Sequence, residues 1–411
     1  MVCEIEKENG RDYDRSMQWS RRSNRRLVAL PYRSCLAEGK RKRGRKMERR
    51  LCVGIDLHKT QFTVCAMREE DGLVVLEEQY ATTETGYREF TEEMHTEEEN
   101  GYSIELAIET TGNARYFKNR MEAEGFGVVV VNTNKFKVIT MSTKKTDAND
   151  AETLAYYLMK EMLPEAHLCD QTSEEIRRLL KTRSILVQSR VKIKNQIHGM
   201  LLGYGIETKR AQFQSKKKRQ ELYKDLADQG YSQFTASSLE VTLSILDEID
   251  QQIKRVEDQL HEMLDEDETV KLLMTVPGIG FIGAWTIAAY TKDMERFGGD
   301  FKRFSSYLGL VPSVHNSNES RHLGRITKHG PQDLRTAFVQ VAMGVIRQPQ
   351  NTGDWRLMKD YYRMKAEKGS GRAIIALTRK MARIVFAILN NRTEFDPSRM
   401  VSEHISTMQT A

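Results

Sequence analysis

Apolar positions along the first third of the chain follow the pattern of strands separated by helices. Five segments are apolar in nearly every position or in alternate positions and predict strands: residues 51–57, 61–67, 73–80, 103–109 and 127–132. Helical spacing of apolar residues predicts helices between and after them: residues 85–98, 113–124, about 135–141 and 148–161. Three strands, a helix, a strand, a helix and a strand predict a mixed sheet with helices, the order of a ribonuclease-H-like α/β fold.

The middle of the chain has helical periodicity only. Residues 173–210 combine apolar positions on one side with many Lys and Arg, and Lys216–Arg219 adds a second basic cluster. A heptad seam follows in residues 237–264: Leu239, Leu246, Ile249, Ile253, Val256, Leu260 and Met263. Its spacing of three and four predicts a two-stranded coiled coil. We expect the partner helix to come from another chain, and the alternative is a helix packed within its own chain.

A third pattern begins near residue 272, where a short helix precedes the turn Pro277-Gly278-Ile279-Gly280 and a second apolar helix, 282–290. This is the pattern of a helix-hairpin-helix. Gly278 and Gly280 leave room for backbone N–H groups to approach a phosphate, so they are predicted nucleic-acid contacts. The alternative is a bare turn between packed helices.

These patterns divide the chain into five predicted segments. They are a disordered basic extension (residues 1–49), a ribonuclease-H-like domain (50–165), a basic helical and coiled-coil region (166–268), a mainly α C-terminal domain (269–365), and a C-terminal helix and tail (366–411). A chain of 411 residues is long enough for two or three domains with separate cores.

Composition excludes several classes of protein. No apolar run approaches the roughly 20 residues of a membrane helix, and the N-terminus lacks the apolar core of a signal peptide. The cysteines are scattered without a C-x-x-C pair, which argues against a zinc site or a disulfide framework: Cys3, Cys35, Cys52, Cys65 and Cys169. We therefore expect a protein of a reducing cytoplasm.

The positive charge is concentrated at the N-terminus. Residues 1–50 hold 16 Lys and Arg against 7 Asp and Glu, whereas the whole chain has a net charge of +6. This polar segment is either a nucleic-acid-binding arm or translated upstream sequence before a folded protein that begins near Met47. The second interpretation is favoured because the first strand begins four residues after Met47.

Four carboxylates occupy the positions at which nuclease folds collect metal ligands. Asp56 and Glu109 end the first and fourth predicted strands, which are neighbours in a ribonuclease-H-like sheet. Asp147 and Asp150 open a predicted helix and are three residues apart, so both can face the same side of it. Clustered carboxylates bind Mg²⁺ and support phosphodiester chemistry.

A polar loop in the C-terminal part carries serines beside cations. Ser313, Ser317 and Ser320 accompany Arg321, Arg325 and Lys328. The three cations are suited to hold a phosphate group and to stabilise its transition-state charge. Composition alone does not distinguish a nucleophilic serine from a solvated one.

The order of the motifs resembles a known family. The four acids, Lys145-Thr146-Asp147 with Asp150, the Pro277-Gly278-Ile279-Gly280 turn and the block from Leu308 to Pro331 occur in the order of the insertion-sequence-110 family, the DEDD transposases. The resemblance covers about residues 50–350. It implies a RuvC-like ribonuclease-H domain joined by a coiled-coil region to a C-terminal transposase domain.

The resemblance also implies roles for particular residues. Asp56, Glu109, Asp147 and Asp150 match the metal-binding tetrad, and Ser317 matches the serine that attacks DNA. This chain has Asn318 where a glycine is usual and Asn316 where a serine is common, and the second departure selects Ser317 over its neighbour. The implied partners are donor and target DNA, a structured guide RNA encoded by the element, and further copies of the chain, as dimers that pair into tetramers.

The predicted function is therefore a transposase that acts as a site-specific DNA recombinase. Ser317 would form a covalent phosphoserine link, assisted by Mg²⁺ on the four acids. One alternative is a Mg²⁺-dependent, structure-selective nuclease of the Holliday-junction-resolvase kind, in which the acids alone hydrolyse DNA. A second alternative is a non-enzymatic DNA-binding protein.

Overall fold

The computed structural model describes residues 49–136, 146–227, 232–317 and 320–401. The predicted basic extension lies outside these residues except for Arg49. The described chain forms two compact units. The first comprises 49–108, 120–128 and 146–163, and the second comprises the remainder. The three predicted segments from residue 166 onward therefore share one unit, which also takes 109–119 and 129–136 from the predicted first domain.

A five-stranded mixed sheet forms the framework of the N-terminal part. Its strands are β1 Arg49–Leu57, β2 Gln61–Arg68, β3 Val74–Ala81, β4 Tyr102–Glu109 and β5 Gly127–Val131. The order is β3-β2-β1-β4-β5, with β1 antiparallel to β2 and parallel to β4. The five predicted strands are confirmed, and so is the predicted pairing of the first strand with the fourth.

Three described helices accompany the sheet: α1 Glu84–Glu99, α2 Ala114–Ala123 and α3 Asp147–Met159. All three were predicted to within two residues. The helix predicted at about 135–141 lies mostly outside the described residues. Helix α3 begins at Asp147 because Thr146 is extended and its hydroxyl accepts a hydrogen bond from the Asn149 N–H at 3.3 Å.

Strand β1 and helix α3 approach so closely that no side chain fits between them at Gly54. A Cβ added to Gly54 would overlap the Ala151 carbonyl oxygen and the Ala155 nitrogen, and would lie 2.8 Å from the Leu154 Cβ. Ala151, Leu154 and Ala155 are fully buried. Glycine at residue 54 therefore sets the separation between β1 and α3.

The middle of the second unit is an antiparallel pair of long helices with a smaller helical segment beside it. Its elements are α4 Gln171–Leu202, a 3₁₀ turn Arg210–Phe213, α5 Lys216–Ala227 and α6 Gln233–Glu262. Arg183 pairs with Glu257 and Arg190 pairs with Asp250, so α4 and α6 run in opposite directions.

The heptad seam of α6 is buried within its own chain. Leu239 and Leu246 share a core with Ile197 of α4, and Leu260 shares a core with Ile176 at the other end of α4. The expectation that a helix of another chain covers this seam is therefore wrong. The heptad spacing correctly indicated two-helix packing, but a period carries no information about which chain supplies the second helix.

The rest of the second unit is helical apart from one β-hairpin. Its helices are α7 Glu268–Met274, α8 Phe281–Thr291, α9 Phe301–Tyr307, α10 Gln332–Ile346, α11 Pro349–Thr352, α12 Arg356–Lys368 and α13 Ser370–Asn391, with 3₁₀ turns at Leu264–Glu266, Glu295–Phe297 and Pro397–Met400. The hairpin strands are β6 Pro312–Ser317 and β7 Ser320–Ile326.

One core joins these C-terminal helices. Trp285 of α8, Phe338 of α10 and Met381 of α13 belong to the same buried cluster. The predicted C-terminal helix is observed as α13 and contributes to this core. No helix in the described ranges is long and apolar enough to cross a bilayer.

We expect Gly54→Ala to destabilise the first unit by about 2–3 kcal/mol or to prevent its folding, because the new methyl group overlaps backbone atoms that cannot rotate away. Urea unfolding of the full chain measures the effect. Gly127→Ala is the matched control, since a Cβ at this β5 residue meets nothing within 4 Å. Equal stability of the two variants would contradict a packing role for Gly54.

Candidate functional site

The ends of two parallel strands carry the first two predicted acids. The register pairs Ile55 of β1 with Ile108 of β4, and these residues immediately precede Asp56 and Glu109. Parallel strands end at the same edge of a sheet. Asp56 and Glu109 each follow the last paired residue of this register, and the predicted approach of their carboxylates stays a prediction.

Helix α3 supplies the other two acids from its first turn. Asp147 and Asp150 are both in that turn, directly after the Thr146 cap. Negative side chains at a helix N-terminus are stabilised by the exposed N–H groups and by the helix dipole. The Thr146 cap therefore places both carboxylates at the positively polarised end of α3.

The structure brings Asp56 and Asp147 together around a residue that the sequence analysis did not select. His58 Nε2 lies 3.1 Å from Asp56 Oδ2 and 3.5 Å from Asp147 Oδ1. One ligand atom from each of the three residues lies within 4.8 Å of the other two. Asp56 is 13% exposed, whereas His58 is 50% exposed, so the cluster has a buried side and an open side.

His58 had a weak signal in the sequence. It follows Asp56 by two residues, and side chains at i and i+2 of an extended chain point to the same side. A histidine beside a strand is common in proteins without binding a metal, so the sequence alone does not single out His58.

The electrostatic environment of Asp56 opposes its ionisation. Burial raises the pKa of the Asp56 carboxyl, the nearby Asp147 and Asp150 carboxylates raise it further, and His58 acts in the opposite direction. A buried carboxylate surrounded by like charges is stabilised by a cation. The donor set of Asp56, Asp147 and His58, with Asp150 nearby, fits a divalent metal ion.

The predicted serine lies at the closed end of the C-terminal hairpin. Ser317 is the last residue of β6 and pairs with Ser320, the first residue of β7. The side chains of Ser317 and Arg321 and the whole of Asn318 lie outside the described residues. Arg325 and Lys328 are exposed on the returning strand and just beyond it.

Two glycines close the base of this hairpin. Gly309 and Gly330 have positive φ angles of 66° and 93°. A Cβ at Gly309 would overlap the His329 backbone, and one at Gly330 would overlap the Tyr307 carbonyl oxygen. The Thr327 N–H donates to the Val311 carbonyl at 2.9 Å across the same junction. The segments that contain Gly309 and Gly330, on either side of the hairpin, therefore hold its base together.

The helix-hairpin-helix turn has its first glycine packed against another helix. Gly278 has φ 88°, and a Cβ there would lie 2.7 Å from the Val341 carbonyl oxygen and 3.1 Å from the Val345 Cγ2 of α10. Packing against α10 is sufficient to explain glycine at 278. Gly280 is exposed, with open space where a Cβ would lie, and its predicted phosphate contact stays a prediction.

Comparison with protein families gives two matches, one to the part of the chain with the four acids and one to the part with the serine hairpin. Residues 53–206, which include all four acids, match the family model DEDD_Tnp_IS110, described as a transposase. Residues 270–363, which include the helix-hairpin-helix turn and the serine hairpin, match a model described as transposase IS116/IS110/IS902 family.

Curated relatives are similar over most of the chain. The transposase for insertion sequence element IS1111A of Coxiella burnetii is 25% identical over 86% of this chain and 94% of its own length. A probable family 20 transposase of Pseudomonas aeruginosa is 26% identical over 71% of this chain and 86% of its own length. The transposase for IS1328 of Yersinia enterocolitica is 27% identical, over 71% and 85% of the respective chains.

We expect Mn²⁺ and Mg²⁺ to bind the DNA-free protein and to raise its melting temperature, because a cation offsets the repulsion around Asp56. Asp56→Asn and Asp147→Asn should abolish binding in calorimetric titrations. Glu152→Gln is the matched control, since Glu152 is exposed on the same helix and does not belong to the cluster. Binding that survives in both aspartate variants would exclude these carboxylates as the metal ligands.

The raised pKa of Asp56 makes a separate prediction for the metal-free protein. A carboxyl whose folded-state pKa is raised contributes stability at low pH, and the contribution is lost as the pH rises through its folded-state pKa. At neutral pH, metal-free Asp56→Asn should therefore melt at a higher temperature than the parent chain, and the difference should shrink as the pH falls. A lower melting temperature for the variant at neutral pH would contradict the electrostatic account.

Proposed function

Because the chain belongs to the IS116/IS110/IS902 transposase family, we propose that it recombines DNA at specific sites through a covalent serine intermediate. Members of this family are DNA-cleaving and rejoining enzymes, so the interpretation as a non-enzymatic DNA-binding protein is set aside. The metal-assisted part of the proposal is supported by the convergence of Asp56, His58 and Asp147 within the region that matches the DEDD model. The role of Ser317 is supported by the match of residues 270–363, which include its hairpin, to the second family model.

The fold proposed for the N-terminal part is ribonuclease-H-like. Its support is the strand order β3-β2-β1-β4-β5, with antiparallel pairing among the first three strands and parallel pairing of β1 with β4. In this arrangement the acids at strand ends and the acids of α3 come from separate elements. A single local motif would not have to supply all the ligands.

In the proposed reaction, Ser317 is the nucleophile. Its hydroxyl oxygen attacks the phosphorus of a DNA phosphodiester, the serine proton is lost, and the bond to the leaving DNA oxygen breaks. The product is a phosphoserine ester and a free DNA hydroxyl, so the total number of phosphodiester-type bonds is unchanged. Attack by a hydroxyl of another DNA strand on this ester rejoins DNA and regenerates Ser317.

The acids would serve this reaction by binding a divalent metal. Asp56, Asp147 and Asp150 would hold it with His58, and Glu109 is proposed as the fourth acid of the tetrad. Bound Mg²⁺ would supply Lewis-acid stabilisation of charge on phosphate oxygens. Imidazole is a better ligand for Mn²⁺ or Zn²⁺ than for Mg²⁺, so the presence of His58 makes the choice of metal an experimental question.

Other side chains would position the DNA. Arg325 and Lys328 are exposed beside the serine hairpin and are proposed to bind phosphate oxygens, together with Arg321. Lys328 has a left-handed backbone with φ 55°, which is uncommon for a residue with a side chain. A left-handed backbone at such a residue persists only where the surrounding structure enforces it. Residues of this kind are often found at functional sites.

The proposed assembly follows the family. A structured guide RNA encoded by the element would select donor and target DNA, and dimers of the chain would pair into tetramers. The first unit contributes Asp56, Asp147 and Asp150 and the second contributes Ser317. We propose that the acids of the first unit and Ser317 act in the same recombination reaction.

A metal-dependent nuclease is the second candidate function. Its support is that Asp56, His58 and Asp147 form a potential metal site among the described residues. In that case a metal-activated water would cleave DNA by hydrolysis and Ser317 would have a structural role. The two functions differ in one observable intermediate, because hydrolysis leaves no protein joined to DNA.

We expect Ser317→Ala to abolish the covalent protein–DNA adduct and to reduce recombination by at least about 10³-fold, because it removes the nucleophilic oxygen. Denaturing electrophoresis with labelled donor and target DNA detects the adduct. Ser320→Ala is the matched control from the opposite hairpin strand. Adduct formation by Ser317→Ala would exclude the serine, and DNA cleavage without adduct in the parent chain would favour the nuclease.

Asp147→Asn should stop both adduct formation and strand exchange, while Glu152→Gln on the same helix should retain them. The physical reason is the loss of one carboxylate from the metal donor set. DNA binding by the variant, measured in parallel, separates a chemical defect from a binding defect. Full strand exchange by Asp147→Asn would refute the metal role.

A further inference from the structure

A basic cleft lies in the second unit, remote in sequence from the serine hairpin. Helices α4 and α6 and the junction between the 3₁₀ turn and α5 line an open cleft with a volume of about 530 Å³. Its basic side chains come from all three of these elements: Arg183, Arg190, Lys194, Lys216, Arg219 and Lys254. The acidic side chains in its lining are Asp250 and Glu257.

The arginines of the cleft are held by acids of α6. Arg219 is 4% exposed and pairs with Asp247 at 2.5 Å and with Asp250 at 2.8 Å. It also donates a hydrogen bond to the Phe213 carbonyl at 3.0 Å, which fastens the 3₁₀ turn. Arg190 pairs with the second oxygen of Asp250 at 3.1 Å. These arginines are therefore part of the framework, and their charges are compensated within the protein.

The lysines of the cleft differ from its arginines because they are not paired with acids among the described residues. Within the described part of the chain, Lys194, Lys216 and Lys254 have no ion pair within 4.0 Å. Lys194 is half-buried, and its pKa is lowered by burial and by Arg190 and Arg219, which together outweigh the opposing effect of Asp250. Since the acids already pair with arginines, the three lysines leave a surplus of positive charge in a partly enclosed volume.

The start of α5 adds to this field. Lys216 is the first residue of this 12-residue helix, and the Ser215 hydroxyl accepts a hydrogen bond from the Lys218 N–H at 3.4 Å. The N-terminus of a helix carries partial positive charge and exposed N–H donors, which favour phosphate groups. Gln214 and Ser215 in the lining offer further polar groups to the same anion.

The lining also limits what kind of ligand fits. Its apolar members are Phe213, which is 1% exposed, and Ile253, which is 4% exposed. Neither offers an open flat surface on which a nucleic-acid base could stack, and base recognition in single strands depends on such surfaces. The cleft therefore suits the phosphate backbone and not the bases.

We propose that this cleft binds a phosphodiester group of a nucleic-acid backbone through Lys194, Lys216 and Lys254. The inference deepens the proposed function and rests on it, because it assumes a nucleic-acid partner. The shared chemistry is the phosphodiester, and DNA and structured RNA are its two possible sources. Backbone recognition of this kind positions a strand without selecting its sequence.

The test uses the full chain with Lys194, Lys216 and Lys254 changed together to Gln. Arg219 is left intact, because its removal would leave Asp247 and Asp250 without their partner. The control changes Lys181, Lys192 and Lys224 to Gln, since these lysines of α4 and α5 are not in the cleft and carry the same total charge. Thermal melting establishes that both variants fold.

Fluorescence anisotropy then measures the affinity for a DNA duplex and for a structured RNA of equal length, over a range of salt concentrations. We expect the cleft variant to bind one of the two at least about 10-fold more weakly than the control variant. The slope of log K against log salt should become shallower by about one for each phosphate that the variant no longer neutralises. The nucleic acid whose affinity falls further is the natural source of the phosphodiester.

Equal reductions of affinity in the cleft and control variants, with both nucleic acids, would overturn the proposal. The adduct assay distinguishes a failure of the cleft proposal from a failure of the proposed function. At saturating DNA and RNA the cleft variant should still form the Ser317 adduct, since its defect is in binding. Weakened binding in a protein that forms no adduct at all would support the cleft and refute the serine mechanism.

Discussion

The contact of helix α3 with strand β1 at Gly54 is the constraint on which the first unit depends. A helix reaches a strand this closely only where a residue has no side chain, and the Ala151 carbonyl occupies the space that a Cβ would need. Asp56 follows Gly54 by two residues, and Asp150 immediately precedes Ala151. The packing contact therefore also fixes the separation between the acids of the strand and those of the helix.

This proximity of carboxylates has an energetic cost in the metal-free protein. Burial and two neighbouring carboxylates raise the pKa of Asp56, so its ionised form opposes folding. The Thr146 cap and the N-terminal end of α3 offset part of the repulsion for Asp147 and Asp150. The unit therefore gives up some stability where like charges converge, which is the expected cost of a cation site.

The sequence predicted the five strands and the pairing of the first with the fourth, because both depend on local periodicity and on the order of the elements. It did not predict His58, since its relation to Asp147 is formed only when α3 packs on β1. It assigned the partner of the heptad seam to another chain, whereas the partner is α4 of the same chain. The spacing is the same in both cases, so it does not distinguish them. It explained Gly278 by phosphate contact, whereas packing on α10 already requires glycine there. In each case the missing information was a tertiary partner.

The second unit shows how charge can be separated into structural and binding roles by its partners. Arg219 is buried, pairs with two aspartates and ties the 3₁₀ turn to α6, so its charge is used within the fold. Lysines in the same cleft carry their ammonium groups on flexible stems, which suit a ligand that comes and goes. Counting basic residues along α4 and α5 could not make this distinction, because paired and unpaired cations look alike in a sequence. Since the acids of α6 compensate the arginines, the lysines and the N-terminal end of α5 set the sign of the electrostatic field that an incoming strand meets.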